Sequence, residues 1–168
     1  MDILATLSPV VDRVPGLTIA PVAARDPEIG RLLEALTAEL AANEYTAEQT
    51  FGYSLEQLEQ SSVYLVAARI FDRVVGVGGI ELQDHGLAEL KRFFVTAAER
   101  GSGVADAIMA TLVEHATAND VRVLRLETGN QQQAAQAFYR RHGFVDVPRF
   151  SPYEFSDTSV CMQRTLER

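Results

Sequence analysis

The run Glu89-Leu-Lys-Arg-Phe-Phe-Val95, continued by Thr-Ala-Ala-Glu-Arg100-Gly-Ser-Gly103-Val-Ala105, holds the densest chemical content of the sequence. A β-rich segment leads into a loop with two glycines, and a helical pattern starts at its end. Glycines let backbone N–H groups converge without a Cβ clash, and a helix N-terminus adds partial positive charge. Together they form a cradle for an anion such as a pyrophosphate. A P-loop needs G-x-x-x-x-G-K-[ST], yet Lys91 is the only lysine and lies upstream. A dinucleotide fingerprint needs a third glycine where Asp106 stands, and that acid would oppose a second phosphate. Taken alone, the loop is equally an anion site and a plain glycine-containing start of a helix.

The surrounding pattern alternates between strand and helix periods. Residues 1–16 read as an N-terminal extension and 17–168 as a single domain. A first strand at 17–22 is followed by Asp26-Pro27, an N-cap with proline at the first helical position. Leu32, Leu33, Leu36 and Leu40 then form an apolar stripe, and Leu55 and Leu58 mark a second, shorter helix. Strands at 63–70, 74–82 and 87–95 form an antiparallel meander with turn-like connections. Val104, Ala105, Ile108, Leu112 and Ala116 predict a third helix, 121–127 a strand, and Ala134, Ala135, Phe138 and His142 a fourth helix closed by Gly143. Two last strands fall at 144–147 and 159–166.

Composition narrows the function classes. A hydrophobic share of 47% in 168 residues fits one folded domain and argues against disorder. The net charge of -8 argues against a partner such as nucleic acid or an anionic membrane surface. Eight acids and one base fall between Asp26 and Gln60, a local acidity that points to a cationic acceptor. Asp2, Asp12 and Arg13 do not suit a signal peptide, and the lone Cys161 forms no internal disulfide, so a cytoplasmic setting is expected. Cys161 reads as a small buried hydrophobe, and the histidines lack metal-ligand spacing.

Arg100-Gly-Ser-Gly103-Val-Ala105 fits [QR]-x-x-G-x-[GA] and resembles the acetyl-coenzyme A loop of the GNAT superfamily of N-acetyltransferases. Leu126-Glu-Thr-Gly-Asn130 and Ala137-Phe-Tyr139-Arg-Arg-His-Gly143-Phe144 are similar to the second half of that family's cofactor region. The resemblance implies an α/β fold with a mixed, mostly antiparallel sheet of about seven strands, about four flanking helices and a splay between strands four and five. It implies acetyl-coenzyme A as cofactor and no metal. Backbone groups of Phe93, Phe94 and Val95 would bind the pantetheine arm, and Arg100, Gly101, Ser102, Gly103, Val104 and Ala105 would surround the pyrophosphate. Asn130 would reach the pantetheine or the lip of the next helix.

Acyl transfer to an amine requires loss of an ammonium proton, a fixed donor for the oxyanion and a proton for the departing thiolate. By resemblance Tyr139 is the acid, and a backbone N–H near Val95 the oxyanion donor. Glu89, eleven residues before Arg100, stands where lysine-acetylating members keep a catalytic glutamate; beside Lys91 and Arg92 it is equally an ion partner. Glu81 and a water chain are further candidates for the base. The expected activity is N-acetyl transfer to a primary amine of a small cationic molecule by direct attack. The rival reading is an acetyl-coenzyme A-binding sensor with little catalysis. A homodimer through the Phe150-to-Phe155 segment and the last strand stays open.

Overall fold

The computed structural model describes residues 13–43, 45–46 and 53–167. Most of the predicted extension, together with Glu44 and Glu48, lies outside them. The elements follow in the order β1 (Leu17–Pro21), α1 (Pro27–Ala42), α2 (Leu55–Gln60), β2 (Tyr64–Ile70), β3 (Arg73–Leu82), β4 (Leu87–Val95), α3 (Val104–Ala118), β5 (Val123–Gly129), α4 (Gln133–Arg141), β6 (Val145–Val147) and β7 (Ser159–Thr165). The seven strands form one sheet in the order β1-β2-β3-β4-β5-β7-β6. Every neighbouring pair is antiparallel except β4 with β5, whose connection passes through α3.

Local signals account for the element ends. The Asp26 side chain accepts from the Glu28 N–H at 2.9 Å with Pro27 at the first helical position, so α1 starts where its cap is written. Ser54 and Gln57 close a reciprocal capping box on α2. Gly103 and Gly143 both take positive φ, one at the start of α3 and the other just past α4. β5 runs two residues later at each end than its apolar pattern predicts, because its ladder with β7 extends to Gly129↔Ser159.

Two apolar layers hold the sheet. Ile108, Leu112 and Ala116 of α3 pack on one face with Leu124, Leu126 and Phe144, while Ile29, Leu32 and Leu33 of α1 pack on the other with Val77 and Phe94. In the distal half of the α1 stripe, Leu36 packs against the second layer and also lines a cleft beside β4, and Leu40 lines the same cleft. Among the described residues no helix is long and apolar enough to cross a membrane.

Candidate active site

β4 and β5 pair only at Leu87↔Val123, Ala88↔Leu124 and Glu89↔Arg125, and then diverge. Beyond Glu89 the β4 edge facing β5 lacks a ladder partner, leaving backbone groups available to an added strand-like ligand. The β3–β4 register shifts between Val77 and Gly79, and Arg92 stands at this bulge with φ 52°. A long side chain in the left-handed region is strained by about 1 kcal/mol or more. Here that backbone turns Arg92 toward α1, where its Nη2 donates to Leu33 O at 3.3 Å and Thr37 Oγ1 at 3.2 Å.

The opening holds two adjoining cavities that share Leu36, Phe93, Gln132, Ala135 and Tyr139 in their walls. The larger, about 360 Å³, runs from Phe93–Val95 past Gly101 and Gly103 to Arg141. The first helical bond of α3 joins the Ala107 N–H to Gly103 O, so the amides of Val104, Ala105 and Asp106 lie at the uncapped end of the helix. Gly101 and Gly103 have φ 78° and 105°, which allows the chain to turn tightly around this end. The geometry suits a pyrophosphate, and the buried Gln132 Nε2, without an acceptor among the described residues, suits a pantetheine carbonyl. Those observations fit coenzyme A.

Several predicted residues take more specific places. Arg100 makes a bidentate pair with Glu39 of α1 at 2.7 Å, and its Nε donates to Val95 O at 3.1 Å. Its charge is therefore balanced, and it straps α1 to the end of β4. Ser102 Oγ donates to Glu99 O, and the Val104 side chain is fully buried, so these two contribute backbone rather than side chains to the turn. Asp106, read from sequence as opposing a phosphate, instead accepts from Arg141 at 3.1 Å and contacts His142 Nε2 at 2.7 Å. Arg141, paired with Asp106, also lines the larger cavity.

The smaller cavity, about 150 Å³, joins Tyr139 to Arg92, Glu127 and Tyr45. Tyr139 packs edge-on against Phe93, Phe138 and Phe144. Burial, and secondly the charge of Glu127, hold its phenol in the protonated form. Glu127 itself is pushed up to about 7, first by burial, against the opposing hydrogen bond from Ser159 Oγ at 2.9 Å. It was not among the residues singled out from sequence, because a glutamate near a strand end looks like an ordinary solvent-facing position. The alternation in Leu124-Arg-Leu126-Glu was the available signal.

Glu89 and Glu81 lie elsewhere. Glu89 is buried, 3.1 Å from Lys91 Nζ and 2.5 Å from the Tyr153 hydroxyl that donates to it. Of its two readings, this is the geometry of an ion partner; Glu89 lines neither cavity. Glu81 accepts from Tyr53 at 3.0 Å. Asn130 sits at the lip of α4, its Oδ1 accepting from Tyr45 at 3.3 Å. The same Tyr45 oxygen accepts from the Gln131 N–H at 2.6 Å, and a Cβ on Gly129 would collide with it. Tyr45 thus latches the segment after α1 over the β5–α4 turn. Cys161 is buried and free.

A sheet opened between two parallel strands, beside a glycine turn at a helix N-terminus, is the architecture of acyl-coenzyme A-dependent acyltransferases. Residues 31–144 match the Acetyltransferase (GNAT) family, and the chain belongs to that family of enzymes. It is 31% identical over 154 residues to the IAA acetyltransferase of Azospirillum brasilense, covering 91% of this chain and 100% of the relative. A Klebsiella pneumoniae protein provisionally assigned as an acyl-CoA N-acyltransferase superposes with a TM-score of 0.78 at 33% identity, over 90% of this chain and 98% of that one. The PaiA N-acetyltransferase of Thermoplasma acidophilum, solved in complex with coenzyme A, shares the fold at a TM-score of 0.74 and 14% identity, over 89% of this chain and 99% of its own.

Proposed function

We propose that the enzyme transfers an acetyl group from acetyl-coenzyme A to the primary amine of a small molecule by direct attack, with Tyr139 as acid and Glu127 as base. One observation carries the reading: Tyr139 and Glu127 line the same small cleft, and Tyr139 also lines the adjoining cavity that ends at the Gly101–Gly103 turn. The acetyltransferase relative supports acetyl as the transferred group.

Coenzyme A, when bound, supplies an acetyl thioester. The amides of Gly101, Gly103, Val104 and Ala105 would hold its pyrophosphate, while the Ser102 N–H is taken by Glu99 O, and the free β4 edge of Phe93, Phe94 and Val95 would take the pantetheine arm. Gln132 would donate to an amide carbonyl of that arm, and Arg141, paired with Asp106, would line the mouth. At the other end Glu127 accepts the proton released by the attacking nitrogen, which makes the base less dependent on bulk solvent. The Tyr139 hydroxyl donates to the sulfur as the carbon–sulfur bond breaks and the carbon–nitrogen bond forms. Glu89 holds Lys91 and Tyr153 in place instead of touching the acceptor.

The test is thiol release from acetyl-coenzyme A across a panel of amines, with cofactor binding measured by calorimetry. Amine-dependent release that falls at least about 100-fold in Tyr139→Phe, with cofactor affinity kept, is the expected result. Tight cofactor binding with no release for any amine would favour the sensor reading.

A further inference from the structure

The smaller cleft contains a cation that no acid among the described residues neutralises. Arg69, Arg73, Arg100, Arg140 and Arg141 each pair with a carboxylate at 4.0 Å or closer. Arg92 does not: among the described residues its partners are the neutral Leu33 O and Thr37 Oγ1, and its buried Nε has no acceptor. Partial burial of this guanidinium also pulls its pKa down, as expected where desolvation goes uncompensated by an anion. An unmatched cation in a half-buried cleft is costly unless a ligand supplies the missing charge.

Position decides which ligand supplies it. Arg92 lines the smaller cleft and is absent from the walls of the larger cavity, where the helix end and Arg141 lie ready for phosphates. Within the smaller cleft Glu127 is the only carboxylate among the described residues. One chamber therefore offers a cationic contact and an anionic contact together. Much of its remaining wall is apolar, from Leu36, Leu40 and Leu126.

We infer that the acceptor is a free α-amino acid with an apolar side chain, its carboxylate held by Arg92, its amine facing Glu127 and its side chain against Leu36, Leu40 and Leu126. This deepens the acetyl-transfer reading of the cleft and rests on it. The ammonium first gives one proton through Glu127 to solvent; the nitrogen then forms a bond to the acetyl carbon as the carbon–sulfur bond breaks, its second proton passes to Glu127, and Tyr139 protonates the sulfur and regains its proton from Glu127. The products are the N-acetyl amino acid and the free thiol. An acceptor with no net charge also agrees with a cleft that carries one residue of each sign.

The deciding experiment compares leucine, methionine and phenylalanine, each with its amide and its decarboxylated amine, as acceptors at saturating acetyl-coenzyme A. The wild type should prefer at least one free amino acid over both analogues by at least about tenfold in kcat/KM, since a site built for a polar group rejects analogues lacking it. Arg92→Gln should erase that preference mainly through KM, with the decarboxylated amine affected less than about threefold, and Arg92→Lys should restore part of it. Independently of turnover, calorimetry should show the preferred amino acid binding the coenzyme A-saturated wild type and not the Arg92→Gln protein. Equal use of all three analogue classes by the wild type overturns the inference, whatever the variants do. So does a parallel loss for all acceptors in Arg92→Gln, which would assign Arg92 to the acetyl group or the bulge. If no amine is turned over while coenzyme A binds, the acetyl-transfer reading fails, and amino-acid binding by calorimetry still decides the carboxylate site.

Discussion

Burial favours the protonated form of both Glu127 and Tyr139, with different consequences for each. A phenol held protonated is ready to donate. A carboxyl near pH 7 must first ionise, so kcat/KM should rise with pH through about 7, and Glu127→Gln should remove that limb while lowering turnover at least about 100-fold. Stability runs the other way. The folded carboxyl titrates near 7 and the unfolded one near 4.5, so the folded state binds the extra proton between those values and loses stability as pH rises across them. The penalty is complete above about pH 7. Glu127→Gln should therefore stabilise the protein by about 2 to 3 kcal/mol at pH 8 and by little at pH 4, read as the shift in urea midpoint at each pH. Loss of activity together with gained stability would separate a working carboxylate from a structural one.

α3 lies so close to the sheet that β3 carries glycine beneath it. A Cβ on Gly78 would stand 2.7 Å from Ile108 and 3.1 Å from Leu112. Gly78→Ala should cost about 1 to 3 kcal/mol in denaturant unfolding, and because α3 also presents the Gly103 turn, coenzyme A affinity should fall with it. Helix starts and stops were legible in the sequence because their causes are local: Asp26 with Pro27, Gly103 and Gly143 each act on their own backbone. The glycine turn ahead of α3 was legible for the same reason. Glu127, Arg92 and Tyr45 were not, since each owes its role to a distant segment. Ser159 lies 32 residues from Glu127, Arg92 is turned by a register shift against β3, and Tyr45 reaches 85 residues to Asn130. Glu89 shows the converse, where the motif position was visible but its tie to Tyr153, 64 residues away, was not.

The acidity that dominates the composition is less available than its sum of -8 suggests. Asp26 caps α1, Glu28 pairs with Arg69 at 3.3 Å and Glu39 with Arg100 at 2.7 Å. Three of the acids between Asp26 and Gln60 thus serve the fold, and a long-range pull on a cationic acceptor is correspondingly weak. kcat/KM for the acceptor should change less than about threefold between about 20 and about 300 mM salt, measured by thiol release; a tenfold fall would restore electrostatic steering. The chain also carries a single lysine, Lys91, which is 9% exposed and bound to Glu89. A catalyst that handles a reactive thioester all its life thereby offers it no free ε-amine. Prolonged incubation with acetyl-coenzyme A should leave Lys91 unmodified in peptide mass spectra of the folded protein, and urea should expose it. The fold thus keeps its single ε-amine out of reach of the acyl donor.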